Sequence, residues 1–505
     1  MKTGAERVYS TRSPKRGWSW ETLPAPIPES EIAETVTADV VIIGGGISGL
    51  AAGARCAEKG LRAVVIEKQE GFPASADPVG AADSAVMRSM GVTVDKAKLA
   101  RDWLALTGSR PDEPLLWLFL DRSGEALDWL LSLAGDEIEV TLLTGYQGQD
   151  VKGHPGAHRI VRKPDNTKYV HTEGSPLVCE ILQAELLKQG GRIDRGVQAM
   201  QLLKDGTGRV VGFIAKDAEG KIKRYLGAKG VILASGGIGG DTELLEAFCP
   251  LGLKPSVNHS SATGDSQKLA YWAGAALEPP QWASELRCDA FFPYPLFFLH
   301  VNRLGKRFMN EDTRDHSKAV RCMMQPGGSY AWTVMDGKWL ADYEARYRSF
   351  NPDIAPETVA QALSAALSSG IAVQADTLDE LAAKMDVPAE ALKAAVSRHS
   401  ELAKAGDDGD FGKRSEFLTS VETAPFYAVK WGPALEEIYG GILTDASLRV
   451  ITPEYEAIPG LYAAGSAAFG PFGLDYPTVL GGASAGQALT WAYLAAEHIA
   501  DAKEV

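Results

Sequence analysis

The chain has 505 residues, with 65 acidic and 51 basic side chains and a net charge of −14, which argues against nucleic acid or an anionic membrane surface as a partner. That length can bury a substantial core and points to two lobes, or to one large domain carrying an insertion. Five scattered cysteines (Cys56, Cys179, Cys249, Cys288 and Cys322) form no C-x-x-C pair, so no disulfide framework, zinc site, iron–sulfur cluster or attached haem is expected, and no metal site is assigned.

Residues 1–36 are rich in proline, serine and charge ("ETLPAPIPESEIAETVT") and are expected to form an irregular N-terminal extension along the surface. The first twenty residues include basic side chains but no apolar run of the kind a secretory signal needs. A cytoplasmic protein is therefore expected, with a removed export signal left open. The next segment, "ADVVIIGGGISGLAAGARCAEKGLRAVVIEK", combines an apolar β-branched run, a glycine turn, a small-residue helix and a second apolar run: a βαβ unit. Gly44 suits the tight turn, Gly46 lets the backbone approach a pyrophosphate, and Gly49 lets the helix pack closely. Glu67 follows Gly44 by 23 positions, where a carboxylate can bond ribose hydroxyls. A dinucleotide site follows from strand, turn, helix and acid together.

Further along, "KGVILASGGIGG" reads as a short buried strand ending in small residues, an edge along which a long cofactor can lie. In "NHSSATGDSQKLAYWAGA", Thr263, Gly264 and Asp265 open a helix. "FFPYPLFFLHV" is apolar but broken by two prolines, and reads as buried strand or pocket wall. No run approaches the roughly 18 apolar residues of a membrane span. The polar stretch "DTLDELAAKMDVPAEALKAAVSRHSELAKAG" has apolar spacings of three and four that fit amphipathic surface helices. "IPGLYAAGSAAFG" supplies another strand ending in Gly465 and Ser466, and "GPFGLDYPTVLGGASAG" is a glycine-rich run with Tyr476 in its middle. Taken alone, Tyr476 reads better as a packed tyrosine satisfied by one backbone bond than as a functional one.

The motifs "VVIIGGGISGL", "VILASGG", "ATGDS", "VNRLGKRFMNE", "GGILTD" and "IPGLYAAGS…LGGASAG" occur in the order found in flavoprotein subunits of the fumarate reductase and succinate dehydrogenase superfamily, and the chain resembles that superfamily from residue 38 onward. It is most similar to the FAD-dependent branch without membrane subunits, which includes 3-ketosteroid dehydrogenases. The resemblance implies an α/β fold, with a Rossmann-like FAD-binding domain of the glutathione-reductase type and an inserted α+β capping domain. The expected division is a FAD-binding part at 37–278, a cap at 279–423 and the rest of the FAD-binding domain at 424–505. Besides Gly44, Gly46, Gly49 and Glu67, it assigns to FAD Ser48, Lys68, Gly80, Ala81, Val197, Ala234, Ser235, Gly236, Asp265, Gly465, Ser466, Gly481, Gly482 and Ser484. FAD is expected to be non-covalent, because "KQEGFPASADPVGAADSAV" after Glu67 lacks a histidine for attachment.

The resemblance also sets expectations for the chemistry. The C-terminal glycine loop should begin a helix whose N–H groups face the flavin, with Tyr476 just before it on the substrate side. Val479 stands where dicarboxylate-reducing members carry a substrate-clamping arginine, and "LEEIYGG" puts Glu436, Glu437 and Tyr439 where they have histidine. Reduction of fumarate is therefore not expected. "NEDTR" places Glu311 and Arg314 three apart, which resembles a proton relay and equally fits a structural ion pair. "YPTVLGGASAGQALTWAYLAA" looks like the loop and helix closing 3-ketosteroid Δ1-dehydrogenases, where a tyrosine bonds the substrate ketone. Catalytic roles accordingly fall to Tyr476, Arg314 and Glu311, and substrate contacts to Tyr439, Phe472 and Tyr294. Trp282, Phe291, Phe292, Tyr294, Phe297 and Phe298 suit either the core of the cap or a flat pocket for a polycyclic enone. The reaction implied is hydride transfer between flavin N5 and a C=C conjugated to a carbonyl, on an apolar enone or steroid-like substrate. An external electron donor or acceptor completes it, because the sequence shows no haem motif, cluster or second dinucleotide fold. Two alternatives stay open: a reductase of a small unsaturated carboxylate other than fumarate, and a non-catalytic electron-transfer flavoprotein subunit.

Overall fold

The computed structural model describes residues 17–72, 78–143, 153–290, 297–328, 330–348 and 354–502. The β-branched run forms β1 (Ile32–Ile43), the small-residue segment α1 (Ile47–Glu58) and the next apolar run β2 (Ala63–Glu67). β1 pairs in parallel with β2, from Val40 opposite Ala63 to Ile43 opposite Ile66. Val40, Val41, Ile42 and Ile43 are all buried, as expected of a strand covered on both faces. A small second layer follows: β3 (Val79–Gly80), β4 (Ile138–Leu143) and β5 (Ala157–Arg162), ordered β3-β5-β4.

The principal sheet is completed by β6 (Arg192–Arg195), β7 (Val197–Lys204), β8 (Val210–Asp217) and β9 (Ile222–Leu233). The cap contributes β10 (Val257–Asn258), β11 (Ala283–Ala290), β12 (Leu299–Val301), β13 (Ala331–Met335), β14 (Ala372–Ala375) and β15 (Phe426–Tyr439), before β16 (Arg449–Ile451) and β17 (Ala457–Ala463) return to the principal sheet. That sheet runs β16-β17-β9-β1-β2-β6, with β8 on β9 and β7 on β8. The carboxyl ends of β1, β9 and β17 lie side by side, Ile43 opposite Leu233 and Leu233 opposite Ala463. In a parallel sheet the crevice beyond such ends is where a ligand binds. α1 is buried along most of its length, and the final helix, Ala483–Asp501, packs on it.

The second sheet runs β10-β15-β13-β12, with β11 and β14 also on β15. The division expected at 423/424 falls two residues before β15, which is the spine of this sheet and runs straight on to Gly440 and the cofactor side. β10, within the segment 37–278, belongs to it as well. The N-terminal extension is likewise less peripheral than its composition suggests. β1 already pairs with β9 at Ile32, and Trp20 is buried, 5.5 Å from the Phe248 ring and 5.1 Å from Tyr271. The polar stretch at 376–406 forms two helices, Leu378–Met385 and Ala389–Ala405. Their inner faces pack Leu381, Met385, Leu392 and Val396 with Val301 and Val334.

Three of the cap aromatics are core. Trp282 stacks on Phe248 at 4.2 Å, Phe297 on Phe417 at 4.4 Å, and Phe298 belongs to the cluster around Met335 and Tyr343. Phe291, Phe292 and Tyr294 lie outside the described residues. All five cysteines are buried and free. Among the described residues no helix is long and apolar enough to cross a membrane, and no His/Cys/Asp/Glu cluster could hold a metal ion.

Candidate active site between the cofactor cleft and the cap

A cleft of about 400 Å³ lies at the carboxyl ends of the principal strands. The turn after β1 forms its floor. Gly44 has φ +112°, and a Cβ there would fall 2.2 Å from the Ala234 carbonyl oxygen. A Cβ on Gly49 would fall 1.7 Å from the oxygen of Gly44, so the third glycine lets α1 close directly on the turn. No side chain caps α1 at Gly46, which leaves the helix N-terminus open to an anion. Glu67 is buried, and its carboxylate accepts from the N–H of Gly45 at 2.7 Å and of Gln69 at 2.8 Å. It therefore holds the glycine turn in shape while lining the cleft.

Gly44, Gly46, Ser48, Glu67, Lys68, Val197, Ala234, Ser235 and Gly236 line this cleft from the first half of the chain, and Asp265, Ser466, Gly482 and Ser484 from the second. Lys68 donates to Thr263 Oγ1 at 2.7 Å and lies 3.4 Å from Asp265. Ser235 and Ser266 are joined at 2.7 Å. Gly49, Gly80, Ala81, Gly465 and Gly481 stand behind the lining as packing. Gly80 donates to the Gly482 carbonyl at 2.8 Å, Ala81 donates to Gly156, the Gly481 oxygen would sit 2.8 Å from a Cβ on Gly80, and a Cβ on Gly465 would strike Ser48 Oγ at 2.1 Å.

The C-terminal glycine run ends at Gly482, which has φ +74° and starts the final helix without a side-chain cap. Tyr476 is buried in the cleft wall and fills the place of a cap: its phenol oxygen accepts from the Ser484 N–H at 3.2 Å, and its hydroxyl donates to Ser484 Oγ in a long bond of 3.4 Å that a substrate carbonyl could replace. Burial pushes this phenol well above its ordinary range, so it keeps its proton. The ring packs with Tyr439 at 5.5 Å and Phe472 at 5.9 Å, and those two lie 4.8 Å apart. Tyr439 lines the cleft, whereas Phe472 backs the two tyrosines. The Tyr439 hydroxyl donates to Glu285, and burial raises that phenol also. Glu285 in turn accepts from Arg287 Nε at 3.0 Å. Glu437 accepts from Ser260 Oγ at 2.9 Å and from its neighbour's N–H at 2.8 Å, and burial pushes its carboxyl up to about 7.

Glu311 and Arg314 do not meet. Glu311 is fully buried in the cap, accepts from Arg307 at 2.8 Å through both oxygens and lies 3.5 Å from Lys413. It lines neither the cleft nor the smaller cavity beside it. Arg314 faces the other way, with Nη2 2.9 Å from Asp475, and lines that cavity together with Tyr476. The four-residue step from Arg307 to Glu311 was available as a helix-like pairing, but Lys413 lies about a hundred positions away and left no local sign. Glu285, Arg287, His316 and Asp475 were not singled out beforehand either. The first two sit on a strand with no motif, and the last two meet only through the tertiary fold.

An uncapped helix end beside a glycine turn whose Cβ positions are filled by backbone, in a cleft this long, fits a dinucleotide with a pyrophosphate. The sequence matches the FAD-binding family described as "FAD binding domain" over residues 39–482. The chain belongs to this family. Within it, the chain is 28% identical to a 3-oxosteroid 1-dehydrogenase of Mycobacterium tuberculosis, over 92% of this chain and 98% of that one. It is 26% identical to a fumarate reductase (cytochrome) of Shewanella frigidimarina, covering 92% and 77%. It is 28% identical to an NADH:acrylate oxidoreductase of Vibrio harveyi, of which it spans 51%. The fold matches the 3-ketosteroid Δ1-dehydrogenase of Sterolibacterium denitrificans with a TM-score of 0.73 and 20% identity, over 92% of this chain and all of that one. A flavocytochrome c3 fumarate reductase in its open conformation matches with a TM-score of 0.72 and 20% identity, over 96% and 82%. The chain is therefore a member of the fumarate reductase and succinate dehydrogenase flavoprotein superfamily, an FAD-dependent oxidoreductase acting on CH–CH groups.

Proposed function

We propose that the chain catalyses hydride transfer between FAD and the β-carbon of a C=C conjugated to a carbonyl, on a bulky apolar substrate of the 3-oxosteroid kind. The observation that carries this reading is Tyr476: a protonated phenol, buried in the wall shared by the cofactor cleft and the cap cavity, with a backbone N–H on its oxygen. That N–H polarises the hydroxyl, so Tyr476 donates to the substrate carbonyl as negative charge grows there. Bound FAD supplies the two-electron chemistry, held without a covalent bond. Gly44, Gly46 and the open end of α1 receive its pyrophosphate, Glu67 a ribose, and the start of the final helix its ring system. Tyr439 and Phe472 exclude water from Tyr476, which strengthens its hydrogen bond. An external donor or acceptor completes turnover.

The surrounding charge supports an uncharged substrate over a dicarboxylate. Glu285 lines the cleft with Tyr476 and Asp475 adjoins it, and the nearby guanidinium groups of Arg287 and Arg314 are engaged by Glu285 and Asp475. Anaerobic photoreduction of the FAD-loaded protein, followed by a panel of 4-androstene-3,17-dione, 2-cyclohexen-1-one, fumarate and acrylate, tests the reading. Reoxidation by an enone and not by the acids is expected. Reoxidation by acrylate alone would favour a small-acid reductase, and none by any compound an electron-transfer subunit.

A further inference from the structure

A second cavity of about 30 Å³ shares part of its wall with the cleft, and its polar lining is Glu285, Arg287, Arg314, Asp315, His316, Tyr476 and Thr478. Glu285, Arg287 and Tyr476 belong to both spaces, so a substrate bonded to Tyr476 has this cavity at its far side. Asp475, the residue before Tyr476, is buried at 7% exposure and reaches across to the cap. Its Oδ1 lies 2.7 Å from His316 Nδ1 and its Oδ2 2.9 Å from Arg314 Nη2. His316 is the second residue of the cap helix Asp315–Met323, and Arg314 precedes that helix as its N-cap.

We propose that His316, oriented by Asp475, is the proton-exchanging group of this site, acting at the carbon α to the carbonyl that Tyr476 binds. The proposal rests on the enone reading above and adds its missing acid and base. The chemistry of the cavity wall selects the imidazole. Tyr476 keeps its proton, and the guanidinium groups of Arg287 and Arg314 do not release theirs at ordinary pH. Glu285 already accepts from Tyr439 and Arg287, and Asp315, the other carboxylate of the wall, is already paired with the Lys318 ammonium 4.0 Å away. An imidazole can both give and take a proton. Asp475 Oδ1 and His316 Nδ1, 2.7 Å apart, are out of line for a hydrogen bond here, and a small turn of the ring lets the carboxylate hold the proton on Nδ1 and leaves Nε2 as the exchanging nitrogen. The Arg314 guanidinium on the second oxygen balances the carboxylate charge, so the pair is held in one geometry. Asp475 and Arg314 are thus positioning residues, and the groups facing His316 are Asp475 from the loop, Arg314 and Asp315 from its own segment, and Glu285 and Arg287 from β11.

In the reducing direction, a hydride from reduced FAD reaches the β-carbon, and its electrons come from an external donor. The C=C π pair moves to the α-carbon and takes the proton that the imidazolium form of His316 carries on Nε2, which leaves the ring neutral with its remaining proton on Nδ1, and Nε2 is reprotonated from water. Dehydrogenation runs each transfer backwards, with His316 removing the α-proton and an external acceptor taking the electrons.

Proton exchange can be observed apart from hydride transfer. The oxidised, FAD-loaded protein in D₂O should replace the α-hydrogens of cyclohexanone or 4-androstene-3,17-dione by deuterium, read by mass spectrometry. His316→Gln should slow this by about 10² to 10⁴-fold, the usual contribution of a positioned acid or base, while FAD content and Tm stay close to wild type. If that variant loses FAD, His316→Asn carries the same readout, and imidazole added to His316→Ala should restore exchange. ¹⁵N NMR of the neutral His316 ring, with and without FAD, should show the proton on Nδ1, and Asp475→Asn should abolish that preference. No exchange by wild type with either ketone, exchange that persists in His316→Gln, exchange lost in Asp315→Asn or Glu437→Gln instead, or a neutral ring protonated at Nε2 would each overturn the proposal. If exchange depends on His316 but no enone reoxidises the flavin, the hydride reading fails and the proton assignment stands.

Discussion

Replacing Tyr476 by phenylalanine removes one oxygen and leaves the ring, so the packing on Tyr439 and Phe472, with centroids 5.5 and 5.9 Å away, is kept. What is lost is the acceptor of the Ser484 N–H, 3.2 Å away in a buried site. Leaving that N–H unpaired should cost roughly 1 to 3 kcal/mol of stability, which a domain of this size tolerates. The kinetic effect is separate from this. If the hydroxyl donates to the substrate carbonyl where charge develops, its removal should slow the reaction by about 10² to 10³-fold, the scale of one oxyanion donor. Substrate affinity should change much less, because the bond strengthens mainly in the transition state. The assay is stopped-flow reoxidation of the photoreduced protein by 2-cyclohexen-1-one or 4-androstene-3,17-dione, with FAD content checked by absorbance. A rate within about threefold of wild type, less than 1 kcal/mol in barrier, would refute the role of Tyr476. Loss of FAD from the variant would instead make the phenol a part of the cofactor loop.

Glu67→Ala removes the acceptor of two turn N–H groups as well as the ribose partner, so FAD affinity should fall by roughly 1 to 3 kcal/mol or more in a titration of FAD-free protein. An unchanged affinity would remove Glu67 from the site. Acid precipitation should release all flavin into the supernatant, and colour kept on the pellet would show a covalent bond. Burial raises Glu437 to about 7 in the FAD-free protein, so the folded state binds the extra proton between the ordinary carboxyl range and that value. Stability should therefore fall as pH rises through this window, and urea unfolding of Glu437→Gln should lose the dependence. Glu311→Gln leaves the buried Lys413 facing a neutral partner, while Arg307 keeps Asp408 at 2.7 Å, and the lost pairing should cost about 3 to 5 kcal/mol in urea unfolding. The reoxidation rate per FAD-loaded molecule should stay unchanged, and a selective loss of rate would return Glu311 to the proton path.

The parts of the fold legible in the sequence are those where one local pattern has one physical meaning. The run into Gly44 and the helix after it report backbone constraints within 25 residues, and the structure forms the expected βαβ unit there, whereas the bonds of Glu67 to the N–H groups of Gly45 and Gln69 had no sign in the sequence. β15 was harder, because "FYAVKWGPALEEIY" carries no mark of which sheet it joins. Its partners β11, β13 and β14 come from as far as about 150 positions away and decide the matter. The site divides in the same way. Tyr476 stood out because a phenol in a glycine loop is chemically odd, but its bond to the Ser484 N–H depends on how the loop turns into the helix. Glu311 looked like half of a relay with Arg314 because of spacing alone. Burial beside Arg307 and Lys413 outweighs that spacing and turns the two side chains toward different partners. His316 and Asp475 come together only where the cap packs on the C-terminal loop.

The most direct test of hydride transfer to an enone is a single turnover. Photoreduced, FAD-loaded protein is mixed anaerobically with excess 2-cyclohexen-1-one or 4-androstene-3,17-dione, and flavin absorbance and saturated ketone are measured in the same sample. One saturated product per flavin reoxidised is predicted. Flavin that stays reduced with both enones, yet is reoxidised by a small unsaturated acid or only by a protein acceptor, would contradict the account.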